Sequence, residues 1–261
     1  MSSSDLFLEH HGAISHLVLN RPEKRNALTR AMWQAMPVLL AEAALREELR
    51  VLLVRGEGGA FAAGADIGEF EDVYATRESA DAFSREVAEA LDALAAFPMP
   101  VIARIDGPCI GAGCGIALSC DLRFCTPESK FGVTPAKLGL LYPLNDTRRL
   151  VDAVGQAMAR DILFSARHLD GFEAEAIGLV AACQPTAEMD RLIEKRCSEI
   201  AARSAGSLKG LKYILNLVSN GTLSDTAETR ALFRDAFDSG DFHEGYRAFL
   251  EKRAPDFSGG R

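Results

Sequence analysis

Residues 51–67 read VLLVRGEGGAFAAGADI, and residues 101–115 read VIARIDGPCIGAGCG. Each stretch begins as a short apolar run and continues into a glycine-rich turn, the pattern of a strand that ends sharply. Leu122–Cys125 forms a third apolar run, and helical patterns from about Ser79 to Ala96 and from Ala112 to Cys120 separate the strands. Three rounds of strand, turn and helix predict an α/β fold built from stacked supersecondary units.

The two ends of the chain depart from this repeat. Two strand-like segments, residues 6–10 and 14–19, flank a short turn at His11-Gly12 and predict a β-hairpin at the start of the chain. After about Thr186 the pattern is helical only, and these helices are too few to bury their own apolar faces. We therefore expect a core over residues 1–200 and a helical module over residues 201–261 that packs against something else.

Composition narrows the possible partners. The chain has 29 basic and 37 acidic residues and a formal net charge of −8, which argues against nucleic acid and anionic membranes as partners. The N-terminal residues lack signal-peptide tracts and the apolar runs are too short to span a bilayer, so we expect a cytoplasmic protein. The six cysteines form no CxxC pair and predict buried free thiols rather than a metal site.

Several common catalytic motifs are absent, among them GxSxG, GxxxxGK[ST] and HExxH. The glycines from Gly111 to Gly115 do not complete GxGxxG, because Ile116 takes the last position. Their turn runs into a predicted helix, whose first N–H groups are unpaired and whose dipole favours negative charge. The residues alone leave two interpretations open: the turn stabilises an oxyanion, or its glycines only permit tight packing.

Four segments resemble the crotonase (enoyl-CoA hydratase/isomerase) superfamily, in the family's order. They are LNRPEKRNAL (Leu19–Leu28), GAFAAGADI (Gly59–Ile67), the GxxxGxG stretch from Gly107, and EGYRAFLEKR (Glu244–Arg253). The resemblance spans nearly the whole chain. It implies a crotonase-like spiral of ββα repeats with a C-terminal helical trimerisation module, assembled as a homotrimer or homohexamer. It also implies an acyl-CoA substrate, with coenzyme A bound as part of that substrate and no separate cofactor.

The same resemblance suggests roles for individual residues. The N–H groups of Ala65 and Ala112 would hold the thioester oxygen while it carries negative charge. Lys24 and Arg25 would contact the CoA phosphates, although two adjacent basic residues are also an ordinary solvated pair. The remaining CoA-binding positions implied by the family are Ala27, the main chain of Ala63, Asp66 and Ile67 around the adenine, and Phe249 and Lys252 reaching the CoA of a neighbouring subunit.

The chain departs from the family where hydratases carry two glutamates. Gly115 and Pro135 stand at those positions, and neither can transfer a proton. Residues 133–142 instead resemble the TPxxLGxxY segment of methylmalonyl-CoA decarboxylases, whose functional tyrosine matches Tyr142, although those enzymes have histidine where this chain has Ala65. The sequence does not rank the other polar candidates, which are Glu69, Glu71, Asp72, Asn145 and Asp146.

Three functions therefore stay open. The first is a family enzyme that stabilises an enolate without the hydratase glutamates, with either lyase or isomerase chemistry. The second is a lyase that decarboxylates a malonyl-type acyl-CoA with the help of Tyr142. The third is a catalytically silent CoA-binding protein, in which Tyr142 would be a buried structural residue. The acyl group is not predictable, because we expect variable loops around residues 70–80 and the tail to form its pocket.

Overall fold

The computed structural model describes residues 4–257 and contains nine strands and ten α-helices within them. The strands are β1 (Leu6–His11), β2 (Ile14–Leu19), β3 (Val51–Gly56), β4 (Val101–Ile105), β5 (Pro108–Ile110), β6 (Leu122–Cys125), β7 (Lys130–Gly132), β8 (Leu169–Asp170) and β9 (Ala182–Cys183). The helices are α1 (Arg30–Ala44), α2 (Phe70–Val73), α3 (Arg77–Ala95), α4 (Ala112–Ser119), α5 (Leu144–Ser165), α6 (Gly171–Ala176), α7 (Thr186–Ala201), α8 (Ala205–Ser219), α9 (Ala227–Phe237) and α10 (Gly240–Glu251).

Six strands form the larger sheet in the order β1-β2-β3-β4-β6-β9. The hairpin β1–β2 is antiparallel, as predicted, and every later pairing is parallel. Residues 51–54 are all buried because helices cover both faces, which explains why β3 reads as a continuous apolar run. The α/β prediction is confirmed.

A second sheet of three short strands, β5-β7-β8, lies next to the second glycine turn. It pairs residues 108–110 with residues 130–132 in parallel, and β7 with β8 antiparallel. The sequence analysis did not predict this sheet. Its strands are two or three residues long, too short to give a hydrophobic period.

The two glycine turns lie against each other. The N–H of Phe61 donates to the carbonyl of Asp106 at 2.7 Å, and the N–H of Ile110 donates to the carbonyl of Ala62 at 3.0 Å. A Cβ at Gly113 would lie 2.4 Å from the carbonyl oxygen of Ala62, and one at Gly107 would lie 2.5 Å from a neighbouring carbonyl. Glycine is therefore required by close packing at these two positions.

The helices after Thr186 attach to this core in two ways. Helix α7 packs on the sheet through buried Met189, Ile193 and Cys197. Helix α8 is anchored by buried Lys212, whose Nζ lies 2.7 Å from the carboxylate of Asp121. The division into a core over residues 1–200 and a helical module over residues 201–261 stays a prediction. Residues 1–3 and 258–261 of these two ranges lie outside the described residues. Within residues 4–257, no helix is both long and apolar enough to cross a bilayer.

Candidate active site

The first glycine turn is held in place by the segment that precedes α1. The N–H of Ala63 donates to the carbonyl of Arg25 at 2.9 Å, and the N–H of Leu28 donates to the carbonyl of Gly64 at 2.8 Å. Asp66 completes the ladder by donating its N–H to the carbonyl of Leu28 at 2.9 Å. Ala65 lies inside this ladder, and its own N–H has no acceptor among residues 4–257.

The second turn places Ala112 at the first position of α4. The residue before it, Gly111, has φ of 53° and no side chain to cap the helix. The N–H of Ala112 therefore also has no acceptor in the described chain. An uncapped helix N-terminus beside a second free amide is an arrangement that stabilises negative charge on an oxygen.

Ala65 and Ala112 line the same cavity, which has a volume of about 630 Å³. This size is within the range of small-molecule sites, which are concave and mostly apolar with a few polar groups. Its apolar wall comes mostly from residues 67–74 before α3, from α3 itself and from the segment that leads into α5, with single residues from α1 and β5. The wall residues are Trp33, Ile67, Phe70, Tyr74, Phe83, Val87, Leu91, Ile110, Leu138, Leu140, Leu141 and Leu144.

This wall differs in part from the expected one. Phe70 and Tyr74 come from the predicted loop region, and Tyr74 contacts Phe83 edge to face with ring centroids 6.1 Å apart. Most of the other lining residues belong to α3 and to residues 134–149, whereas no lining residue comes from the described tail, 186–257. The spacing of Phe83, Val87 and Leu91 at every fourth position is the signal that could have placed α3 here.

Gly115 and Pro135, which the resemblance places where hydratases carry glutamates, both line the cavity. Gly115 lies one turn along α4 from Ala112, and Pro135 begins a 3₁₀ turn that ends at Leu138. A Cβ at Gly115 would lie 3.2 Å from Cδ1 of Leu91 and 3.9 Å from the hydroxyl oxygen of Tyr142. A side chain at position 115 would therefore require Leu91 to shift by a few tenths of an ångström and would lie in ordinary contact with Tyr142.

The ring of Tyr142 lines the cavity, but its hydroxyl is buried in the wall beside Gly115 and has no hydrogen-bond partner in the described chain. Burial raises the pKa of Tyr142 well above its usual range, so the hydroxyl stays neutral. A buried hydroxyl without a partner costs about 1–3 kcal/mol. This cost is recovered when another polar group comes within hydrogen-bonding distance.

A charged network lies at the start of α5. The carboxylate of Asp146, with 7% of its side chain exposed, accepts a hydrogen bond of 2.8 Å from Arg149. Arg149 also donates to Asp92 of α3 at 2.5 Å, so one guanidinium joins two carboxylates. Burial raises the pKa of Asp146, against the opposing effect of Arg149. All three side chains line the cavity.

The segment proposed to bind CoA has an unusual backbone. Arg25 and Asn26 adopt left-handed conformations, with φ of 50° and 56°. The buried Asn26 side chain stabilises them by donating to the carbonyl of Ala60 at 2.6 Å and accepting from the N–H of Arg21 at 2.8 Å. Lys24 and Arg25 consequently remain exposed next to the first turn. The sequence analysis did not identify Asn26 as this anchor, although asparagine tolerates positive φ.

Two main-chain groups at the positions proposed to surround the adenine have no hydrogen-bond partner in the described chain. The carbonyl of Ala63 and the N–H of Ile67 have no partner in residues 4–257, so one acceptor and one donor are available. Asp66 contributes differently, because its side chain accepts from the N–H of Gly68 and pairs with Arg21 at 2.9 Å, contacts that lower its pKa. Its role in this structure is to shape the turn. Ala27 accepts from Arg21 through its carbonyl at 2.6 Å.

Phe249 and Lys252 lie at the end of α10, exposed and away from the cavity of their own chain. A role for them in CoA binding would require the site of a second subunit.

Elsewhere, Glu9, His11 and His16 on the hairpin place potential metal ligands within 4.8 Å of one another. Arg55 already pairs with Glu9 at 2.8 Å, so a guanidinium takes the place where a cation would bind. The six cysteines are buried and free, as predicted.

Comparison with known proteins agrees with this geometry. The family model described as enoyl-CoA hydratase/isomerase matches residues 9–260. The 2,3-dehydroadipyl-CoA hydratase of Escherichia coli is 32% identical over 98% of this chain and 99% of its own length. A solved enoyl-CoA hydratase/isomerase family protein from Hyphomonas neptunium superposes with a TM-score of 0.95 at 42% identity, covering 98% of both chains. The enoyl-CoA hydratase/carnithine racemase of Magnetospirillum magneticum superposes with a TM-score of 0.94 at 32% identity, covering 98% of this chain and 96% of its own.

Proposed function

The chain belongs to the enoyl-CoA hydratase/isomerase family, and from this premise we propose that it transforms an acyl-CoA thioester by stabilising an enolate. The observation that carries the proposal is that Ala65 and Ala112, whose N–H groups are unpaired in the described chain, line one cavity. A thioester carbonyl oxygen placed between them gains negative charge when a bond at the neighbouring carbon breaks. Each such donor contributes roughly 2.7–4 kcal/mol to the stability of the transition state.

The reaction that follows differs from ordinary hydration. With Gly115 and Pro135 on the cavity wall, neither of the family's two glutamate positions supplies a carboxyl group. Addition of water to a double bond needs a group to deprotonate the water and a group to protonate carbon, and such groups typically contribute about 10²–10⁴-fold in rate. We therefore assign this chain to enolate-forming lyase or isomerase chemistry rather than to two-glutamate hydration.

Hydration of crotonyl-CoA should be at least about 100-fold slower than a typical enzymatic turnover of about 10 per second. The variant Gly115→Glu alone should not restore it, because Pro135 still leaves the second glutamate position without a carboxyl group. Absorbance of the conjugated thioester gives both rates. Turnover near 10 per second in the unmodified chain would show that another residue has replaced the glutamates.

A second candidate reaction is decarboxylation of a malonyl-type thioester, and the observation that favours it is the unpaired hydroxyl of Tyr142 beside Gly115. Loss of carbon dioxide leaves its electron pair in the enolate, so the first step needs no base. The departing carboxylate must stand perpendicular to the thioester plane. A neutral hydroxyl can orient it without the strong ground-state binding that a cation would give. This role requires the Tyr142 side chain to shift so that its buried hydroxyl reaches the cavity surface.

Mass spectrometry on a panel of acyl-CoA thioesters tests the proposal directly. The panel should hold saturated, 2-enoyl, 3-enoyl and malonyl-type thioesters. A change of isomer or loss of carbon dioxide supports one of the two candidate reactions, and gain of water supports the hydration that we do not expect. No conversion together with measurable binding would instead indicate a catalytically silent CoA-binding protein.

Removing the positive charges of Lys24 and Arg25 should weaken CoA binding. A hydrogen bond to a charged group contributes about 1.5–3 kcal/mol, so each alanine variant should raise Kd for acetyl-CoA at least roughly tenfold. Isothermal titration gives Kd, and Lys195→Ala is the control because its exposed side chain lies on α7. If the Lys24 and Arg25 variants bind as tightly as the control variant, these residues are a solvated surface pair.

We also propose a homotrimer or a dimer of trimers. Helices α8, α9 and α10 expose large apolar side chains that a soluble monomer would rarely display together. They include Leu211, Leu215, Val218, Phe233, Phe237, Phe249 and Leu250. Light scattering after gel filtration should give three or six times the chain mass of 28.2 kDa, and a monomer at micromolar concentration would contradict the assembly.

A further inference from the structure

Any isomerase chemistry at this site needs a proton acceptor, and few groups on the cavity wall can act as one. Among the described lining residues there is no histidine, lysine, cysteine or glutamate. The acidic residues on the wall are Asp92 and Asp146. The other ionisable residues on the wall are Tyr74 and Tyr142, whose pKa values burial raises so that both hydroxyls stay neutral, and Arg149, whose guanidinium offers no proton-accepting atom. The choice of base therefore lies between two carboxylates.

The surroundings of the two carboxylates differ. The Asp92 side chain is 50% exposed, and both its oxygens lie near the amide of Asn145 while one also accepts from Arg149. The Asp146 side chain is 7% exposed, and only its Oδ1 has a partner, Arg149. Its Oδ2 has no hydrogen bond within residues 4–257 and is not among the sealed, unpartnered atoms. Because Asp146 lines the cavity and its Oδ1 is taken by Arg149, Oδ2 is the carboxylate oxygen left for a substrate to contact.

On the basis of the proposed function, we propose that Asp146 is the base that removes a proton from the acyl group. The carboxylate takes the proton from the carbon α to the thioester carbonyl, or from the γ carbon of a 2-enoyl group. The C–H electron pair moves into the thioester, whose oxygen becomes the enolate oxygen held by Ala65 and Ala112. Protonated Asp146 then returns the proton to the same carbon or to another, giving exchange or isomerisation without any further reactant.

The groups that face Asp146 suit this role. Arg149 of its own helix fixes Oδ1 and so orients Oδ2, while Asp92 of α3 and the neutral Tyr142 of the preceding segment add no second cation. Burial raises its pKa, which makes the carboxylate more basic than one in water. Asp146 also has an ordinary structural role, because a negative charge in the first turn of a helix interacts favourably with the helix dipole and stabilises the helix. The experiment must therefore separate catalysis from helix stability.

Deuterium exchange at carbon provides this separation, because it requires only a base and an oxyanion site. Octanoyl-CoA reports exchange at the α carbon and trans-2-octenoyl-CoA reports exchange at the γ carbon, each followed in D₂O by mass spectrometry and proton NMR. An eight-carbon chain suits the apolar cavity, since each buried methylene contributes roughly 0.8 kcal/mol to binding. The unmodified chain should exchange at least one of the two positions.

Asp146→Asn should lower the exchange rate about 10²–10⁴-fold while leaving Kd for octanoyl-CoA and the thermal unfolding temperature nearly unchanged. Asp152→Asn, the same change at an exposed position of α5, should exchange like the unmodified chain. The rate of the unmodified chain should rise with pH through a pKa above the usual aspartate value, because the ionised carboxylate is the active form. Asp146→Glu should restore part of the rate, which a purely structural residue would not require.

Two results would overturn this inference. One is exchange by Asp146→Asn at the rate of the unmodified chain. The other is an unmodified chain that binds octanoyl-CoA but exchanges neither position, in which case acyl-CoA binding stands and Asp146 is not a base. If Asp146→Asn does not fold, the pH profile of the unmodified chain and the Asp146→Glu variant decide, and a flat profile from pH 4 to 8 counts against Asp146. Failure to bind any acyl-CoA would contradict the proposed function itself.

Discussion

Ala112→Pro should lower kcat/KM for any accepted acyl-CoA by about 10²–10³-fold, equivalent to roughly 2.7–4 kcal/mol of lost transition-state stabilisation. Proline has no N–H, so the substitution removes one of the two donors that face the cavity. The first position of a helix is where proline is best tolerated, and α4 begins at Ala112. The change should therefore act on the reaction far more than on the fold.

Ala112→Gly is the matched control. It keeps the N–H and removes only a methyl group, at a helix-propensity cost of at most about 1 kcal/mol. We expect this variant to retain kcat/KM within a few-fold, and circular dichroism should show the same helix content for both variants. If Ala112→Pro folds and keeps full activity, or if Ala112→Gly loses as much as Ala112→Pro, the N–H of Ala112 is not the donor.

Tyr142→Phe should change stability and activity in opposite directions. The hydroxyl is buried without a partner in the described chain, so its removal should raise the free energy of unfolding by about 1–3 kcal/mol. If the same hydroxyl orients a polar group of the substrate, kcat/KM should fall at least roughly tenfold, because a hydrogen bond to a charged group contributes about 1.5–3 kcal/mol. Urea unfolding and steady-state kinetics measure the two effects.

Tyr213→Phe makes the same chemical change where the hydroxyl is satisfied. Tyr213 lies on α8 and its hydroxyl bonds to Glu228, which raises its pKa. Its variant should be no more stable than the unmodified chain and should keep full activity, unlike Tyr142→Phe. A stabilised Tyr142→Phe with unchanged kcat/KM would make Tyr142 a core residue. Decarboxylation would then lose the observation that favours it.

Much of the fold could be predicted from local patterns. The strands Val101–Ile105 and Leu122–Cys125 have the predicted limits, and helix α4 ends one residue earlier than expected. These elements alternate sharply between apolar runs and glycine turns, so short-range chemistry defines their ends. The strands β5, β7, β8 and β9 were not predicted, because segments of two or three residues are too short to show a hydrophobic alternation. They are strands only because they pair with segments that are distant in the sequence.

Contacts between the two turns bear on the choice between tight packing and oxyanion stabilisation, and the oxyanion role stays a prediction. Gly107 and Gly113 serve packing, since a Cβ at either would collide with a neighbouring carbonyl. The same close approach brings Ala65 and Ala112 to one cavity with their N–H groups unpaired. The two interpretations are therefore compatible, which a sequence pattern cannot show because it does not record which turn lies against which.

By itself the sequence determined the order of elements, the family resemblance and the absence of carboxyl groups at positions 115 and 135, because these depend on residue identity and local spacing. The tertiary structure decided which polar groups face the cavity. Asp146 stood unranked among five candidates, and only the folded chain buries it beside Arg149 and places it on the cavity wall. Burial and orientation arise from contacts between residues far apart in the chain, such as Arg149 with Asp92, and these contacts form only when the chain folds.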